Sequence, residues 1–402
     1  MIIDKGFYVD NFVGTYRLEF DEVLDQIIIV SKEYNHPLAG EPELKKKRIF
    51  EYDARNDDHI HTNFANVDLS SNSAILDYCN KYGLPYSSQL ISDKNQWYGS
   101  DVDSRIATAA AQSGTWKYRR NDVTTLRDFS KSVIIVRKLI RLGILANEKQ
   151  LTNASYTEFI SILLFFLFFS HEHYYVYNPR EEVLPQERVM RFQYEFQLFR
   201  RINRLDNGYS APKQIAGFLA YIEHLKKNPE RIGLHQLQVD LNSKIVERAI
   251  TLLTPHLYTK SSDSCIIFNS AISYQSYGNF KFERELVCTE NQERLEALRL
   301  LGIDIFCGII NDGLGFTSPS LFLEDGVLRG GWKLSYQMNG IYMELFLEAA
   351  ADSQFRQCAN PTCGKFFSAS RGRPNKRFCC HECAALEAKR RERRRKREGK
   401  TT

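Results

Sequence analysis

The sequence predicts a mainly α-helical protein: a multi-helix body with minor β hairpins, followed by a small C-terminal zinc finger and a basic helix. Three observations carry this. Apolar residues recur at steps of three and four through much of the first 350 positions. Several of these stretches are closed by glycine or proline. Five of the nine cysteines fall between Cys358 and Cys383, directly ahead of a run of arginines. With 402 residues, 43% hydrophobic and 12% aromatic, the chain has apolar material for one large core or two ordinary ones.

Residues 1–66 read as an N-terminal segment and loop, the polar stretch from 35 to 66 lacking any period. The helical body is expected over 67–352, with a soft boundary near 259–264 at "TKSSDS". In "SSNSAILDYCNKYGLP", Ser71 or Ser73 can cap, Ile75, Leu76 and Cys79 share a face, Gly83 takes the position after the last turn, and Pro85 forbids continuation. "TTLRDFSKSVIIVRKLIRLG" places Leu126, Phe129, Val133, Val136 and Ile140 on one stripe and is expected to stop at Gly143. "FISILLFFLFF", Phe159 to Phe169, is too short for the roughly 20 residues of a membrane span and reads as a buried helix. A helix from Pro185 to Gly208 carries the stripe Phe192, Phe196, Phe199, taken as core packing. Two more helices end at Pro229 and Pro255. Another opens on Thr289 and Gln292 in capping-box spacing and closes at Gly302. Strands are expected in "SLFLEDGVLRGGW", where Asp325-Gly326 makes a two-residue turn, and less distinctly in residues 263–286 and the first twenty.

A four-cysteine zinc finger is expected over 353–383. Paired thiolates suit a tetrahedral ion, because each close pair presents two sulfurs from one turn. Cys358, Cys363, Cys379 and Cys383 give the spacing C-x4-C-x15-C-x3-C. Cys380 with Cys383 also makes a C-x2-C pair, so the third ligand is Cys379, which we favour, or Cys380. Gly364 permits the turn after the second sulfur, and Phe366, Phe367 and Phe378 can supply a small core. Four sulfurs leave no open coordination position, so the expected cofactor is one structural Zn2+ and not a catalytic metal. Ordinary buried thiols do not suit so polar a segment. Disulfides do not suit a chain whose first residues carry no secretory pattern and whose Cys79, Cys265, Cys288 and Cys307 sit singly in apolar contexts. A cytoplasmic location and no membrane partner follow as expectations.

The remaining 384–402 reads as a basic helical tail. Residues 364–402 hold 14 Lys/Arg against 4 Asp/Glu, so the basic character belongs to the end of the chain. Ala384, Ala385, Leu386 and Ala388 favour helix. Lys389, Arg390, Arg391, Arg393, Arg394, Arg395, Lys396 and Arg397 then surround a single Glu392. With Arg371, Arg373, Lys376 and Arg377 from the finger, they form the expected nucleic-acid-binding set, DNA ahead of RNA, since cations that neutralise phosphates release counterions. The pairs His59/His61 and His171/His173 lack third and fourth ligands nearby in sequence and are not expected to bind metal. No phosphate-binding glycine loop or acid/base motif points to an enzyme.

"CANPTCGKFF…RFCCHEC" resembles the C-terminal finger of the bacterial CGNR zinc-finger family, in which a knuckle of the form "CANP.C" precedes a second cysteine pair and a basic helix. "WKLSYQMNGIYMELFLEAAADSQFRQ" is similar to the helix leading into that finger. The likeness covers residues 321–397 and departs from the family after the last ligand, where Cys383 is followed by Ala384-Ala385-Leu386. It implies a bacterial DNA-binding transcription regulator whose helical body meets a small molecule or a protein. The alternatives are an RNA-binding or ribosome-associated accessory protein, and an enzyme or interaction body that uses the finger for docking.

Overall fold

The computed structural model describes residues 8–12, 15–21, 26–31, 46–51, 59–85, 123–148, 150–168, 196, 199–200, 211–227, 244–260, 266–268, 272–275, 279–288, 291–314, 317–324, 327–334, 337–350, 354–369 and 375–398. These are mainly helical, with small β hairpins. The elements begin with β1 (Tyr8–Phe12), β2 (Tyr16–Asp21), β3 (Gln26–Ser31), β4 (Lys46–Glu51), α1 (Ile60–Ala65), α2 (Asn72–Tyr82), β5 (Val123–Thr125) and α3 (Leu126–Asn147). Next come α4 (Asn153–Phe168), α5 (Ala211–Lys227), α6 (Lys244–Leu257), β6 (Tyr258–Lys260), β7 (Ile266–Phe268), β8 (Ile272–Gln275), β9 (Asn279–Phe282) and α7 (Gln292–Leu314). The chain closes with β10 (Ser318–Glu324), β11 (Val327–Lys333), α8 (Gln337–Ala350), β12 (Gln354–Gln357), β13 (Phe366–Ala369) and α9 (His381–Glu398). It divides into two compact units, one of residues 1–89, 115–144 and 313–402, the other of 90–114 and 145–312.

The first unit carries the C-terminal cysteine cluster. One sheet has the order β10-β11-β1-β4, with β1 and β11 parallel and the other pairs antiparallel. Strands β10 and β11 pair antiparallel up to Glu324 and Val327, as the expected hairpin requires, while Asp325-Gly326 lies outside the described residues. A second sheet, β2-β3-β5, buries Ile28, Ile29 and Val30. Helix α2 follows its punctuation: the Ser71 side chain accepts from the Ala74 backbone N–H, and Gly83 at φ 80° ends the last turn. Phe64, Tyr78 and Phe129 then bring α1, α2 and α3 together, with ring centroids 5.1 and 5.5 Å from Phe64. Arg137 of α3 donates to the carbonyls of Ala65 and Val67, which closes off the end of α1. Strand β4 and helix α1 fall within 35–66, the stretch expected as a loop, because strand pairing with β1 and packing of Ile60 and Phe64 supply order that no local period announces.

In the second unit, α4 is buried along Phe159–Phe168 apart from Ser161, as its apolar run implies. Among the described residues no helix is long and apolar enough to cross a membrane. Phe168, Phe196 and Phe199 pack on α5, with Phe196 and Phe199 each 5.3 Å from Phe218, so two members of the aromatic stripe are core. Phe192 and most of the helix expected over 185–208 lie outside the described residues.

Three helix ends differ from expectation. Helix α3 continues past Gly143 to Asn147, and α7 past Gly302 to Leu314. Buried Leu145 in the first and Ile305 and Ile309 in the second extend the packed face, outweighing the roughly 1 kcal/mol that an internal glycine costs. Helix α6 takes Pro255 into its last turn. The Thr251 carbonyl, one turn before the proline, lies 3.5 Å from the Arg294 Nη2 donor. The cap of α7 is Asn291, whose Oδ1 accepts from the Arg294 N–H at 2.8 Å; Thr289, expected there, lies outside the described residues. Cys79 is buried, but Cys288 is half-buried and Cys307 exposed, so the solitary cysteines are not uniformly core residues. Cys265 lies outside the described residues.

Candidate metal centre and basic helix

The cysteine module is a two-stranded hairpin, β12–β13, with one cysteine-bearing turn joining its strands and a second ahead of α9. Gln357 pairs with Phe366 at the head of the hairpin, so Cys358 leaves β12 just where the strands separate. The loop then folds on itself. The Cys358 N–H donates to the Lys365 carbonyl at 2.8 Å and the Cys363 N–H to the Asn360 carbonyl at 2.9 Å. Gly364 adopts φ +62°, a left-handed conformation that a side chain resists, and turns the chain after the second sulfur. The second cysteine pair is brought in by a backbone bond from Ala359 N–H to the Arg377 carbonyl, 2.9 Å, and by the start of α9, whose first turn includes Cys383.

These turns place the sulfurs of Cys358, Cys363, Cys379 and Cys383 within 4.8 Å of one another. Cys363 and Cys379 are 3.6 Å apart and Cys379 and Cys383 3.7 Å. Zn–S bonds of about 2.3 Å set tetrahedral sulfurs about 3.8 Å apart, so the spacing is that of ligands around an ion. The group could hold a metal ion. Cys380 stands outside it, exposed, with its sulfur 3.8 Å from that of Cys379. Phe367 and Phe378 pack against the cysteines, as does Ala369, while Phe366 is half-buried and not part of that cluster.

Asn360 organises the knuckle. Its buried side-chain oxygen accepts from the Thr362 hydroxyl at 3.0 Å, the Thr362 N–H at 3.3 Å and Arg390 Nη1 at 2.8 Å. Hydrogen bonding with Asn360, aided by the neighbouring thiols and opposed by burial, lowers the Cys383 thiol to about 7. Burial raises Cys363 and Cys379 above the ordinary thiol range, and at Cys379 hydrogen bonds to the other sulfurs add to the rise. Crowded sulfurs resist ionisation unless a cation is there to take the charge.

Helix α9 carries the basic run. Lys389, Arg391, Arg393, Arg394, Arg395, Lys396 and Arg397 are exposed. Arg390 instead reaches back to Asn360 and Thr362, so it braces the helix against the knuckle. Glu387 pairs with Arg391 at 3.4 Å and Glu392 with Lys396 at 2.7 Å. Of the finger cations, Arg377 is exposed, Lys376 sits 5.5 Å above the Phe367 ring, and Arg371 and Arg373 lie outside the described residues.

The cysteine module is docked on the body of its unit. Asn66, closing α1, presents its side-chain amide to β13 as if it were another strand: Nδ2 donates to the Phe366 carbonyl at 2.8 Å, and Oδ1 accepts from the Phe366 N–H at 2.9 Å. Beside it, His61 lies 2.7 Å from Glu344 of α8 and 3.4 Å from Ser368 of β13. His59 and His61 join Glu344 as a second group whose donor atoms lie within 4.8 Å. Sequence separation hid this group, because Glu344 lies 283 residues after His61. Its signal was Glu344 and Glu348, two carboxylates one turn apart on an otherwise apolar helix. Burial pushes the Glu344 carboxyl up, but hydrogen bonding and positive potential from His59 and His61 outweigh it and hold the carboxyl below its ordinary range. His171 and His173 lie outside the described residues.

No protein-family model matches the chain, and no curated protein or solved structure matches it.

Proposed function

We propose that this chain is a zinc-finger nucleic-acid-binding protein, a cytoplasmic bacterial DNA-binding transcription regulator of the kind its likeness to CGNR fingers implies. Cys358, Cys363, Cys379 and Cys383 hold one structural Zn2+. Lys389–Arg397, with Arg371, Arg373, Lys376 and Arg377, meets the phosphate backbone. The observation that carries this reading is helix α9, which begins at the last cysteine pair and projects seven exposed cations. A helix anchored at one end by a metal site keeps its charges aligned, so less ordering entropy is lost when it meets a polyanion. Phosphate contacts of this type confer affinity and little base readout. The helical body takes the role of sensor or interaction platform.

The test is a titration of the full chain against random duplex DNA and structured RNA at several salt concentrations, beside a version ending at Ala384, with metal content measured in both. The expected result is one thiolate-bound zinc per chain in each. The intact protein should bind DNA with a log–log salt slope of about −4 to −7, as about five to eight phosphate contacts would give. Truncation should abolish binding and leave that zinc in place. Tighter binding to structured RNA would move the protein to the RNA-associated class. Zinc without binding to either polymer at moderate salt would sink the regulator reading and leave the finger as a docking module.

A further inference from the structure

Beneath the finger, two imidazoles and two carboxylates converge in a site sealed from water. His59 and His61 flank Ile60 at the start of α1, while Glu344 and Glu348 stand one turn apart on α8. The side chains of His61 and Glu344 are 0% exposed, and those of His59 and Glu348 are 9% and 4% exposed. Between them, His61 Nδ1 is 2.7 Å from Glu344 Oε2, His59 Nδ1 3.8 Å from Glu344 Oε1, and His59 Nε2 3.6 Å from Glu348 Oε1. Two carboxylate oxygens are left without a donor at close hydrogen-bond distance: Glu344 Oε1, 3.8 Å from His59 Nδ1, and Glu348 Oε2. Buried carboxylate oxygens are strongly unfavourable unless protons, donors or a cation compensate them.

We propose that His59, His61 and Glu344 bind a second divalent transition-metal ion, for which zinc is the fitting candidate, with Glu348 orienting His59 through its other ring nitrogen. Imidazole with carboxylate is a zinc donor set, whereas magnesium and calcium prefer oxygen alone. One dication compensates the buried carboxylate charge and supplies the partner that Glu344 Oε1 lacks. Bonds of about 2.0–2.1 Å place tetrahedral donors about 3.3 Å apart, a value bracketed by the 2.7 Å from His61 Nδ1 and the 3.8 Å from His59 Nδ1 to the Glu344 carboxylate, so small side-chain rotations suffice. The surroundings fit a ligated histidine. With Nδ1 on the metal, the other ring nitrogen of His61 carries its proton towards Ser368 Oγ, 3.4 Å away, fixing tautomer and ring plane. The Phe355 ring meets His61 edge-on at 5.7 Å and closes that side. The donors are sealed from water and so out of reach of a substrate, which makes this ion a joint: it ties α1 to α8 directly and to β13 through Ser368.

The inference does not depend on the nucleic-acid reading, and metal content decides it. The full-length chain is stripped of metal under reducing conditions and reloaded with zinc, and separately with cobalt(II), and bound metal is counted by mass spectrometry after removal of excess. Two ions per chain are expected, the cobalt form showing both sulfur-to-cobalt charge-transfer bands and the weaker visible bands of nitrogen and oxygen ligation. His59→Gln and Glu344→Gln should each lower the count from two to one with the sulfur bands unchanged. A single ion lost with either variant, without sulfur bands, would uphold this site and reject metal at the cysteines. A single ion with sulfur bands alone in the unaltered chain, or two ions retained by both variants, would overturn the proposal. If either variant fails to fold, the cobalt spectrum of the unaltered chain decides alone.

Discussion

Asn360 shows how one side chain can organise four cysteines without being one of them. It joins the first knuckle to α9 through Arg390 and favours the Cys383 thiolate. Asn360→Ala should raise the Cys383 thiol, leaving less thiolate at any given pH. Metal affinity near neutrality is then expected to fall about 10- to 100-fold, and the pH at which metal is released to move upward, as competition with a chromophoric chelator across pH would measure. Gly313 is constrained in another way. A Cβ there would overlap the Tyr342 ring, so Gly313→Ala is expected to cost about 1–3 kcal/mol in thermal unfolding. The four cysteines were legible because knuckle spacing is a short-range property. Glu344 and Glu348 were not, because nothing local says that a carboxylate on an apolar helix faces a histidine.

Helix α9 makes the strongest demand at the next scale, since its sequence buries almost nothing. Leu386, its one large apolar residue, is 50% exposed. Its order comes from the cysteine turn at one end, the Arg390 brace, and i,i+4 pairs worth about 0.2–0.5 kcal/mol each. Replacing Arg393, Arg394 and Arg395 together with alanine should retain the helix, since alanine is the best helix former, and flatten the salt slope of DNA binding by up to about three units at unchanged metal content. Elsewhere, helix interiors were legible and some ends were not. Ser71 and Gly83 bound α2 as expected, because a cap is a local hydrogen bond. Gly143, Gly302 and Pro255 failed as stops because tertiary packing beyond them decides whether a helix continues.

At the scale of the molecule, the mainly helical class followed from periodicity, whereas the division into units did not. Residues 1–89 and 313–402 belong to one unit, and no local pattern reports that the two ends of a chain meet. The finger shares hydrogen bonds with α1 through Asn66 and Ser368, so disturbance should pass between them. Removing metal from the cysteines with a chelator under reducing conditions is expected to raise amide hydrogen exchange in residues 60–66 as well as in 354–369. Asn66→Ala should raise exchange in β13 while the cysteines keep their metal. Protection of 60–66 unchanged by chelation would show that the finger hangs free of the body.

The pairing of Asn66 with Phe366 also sets a schedule for biosynthesis. The two residues are 300 positions apart, and at about 5–20 residues per second a ribosome needs about 15–60 s to travel between them. Throughout that interval α1 has emerged without the strand that will cover it, so a nascent chain halted before Phe366 should present His61 and Asn66 to chaperones.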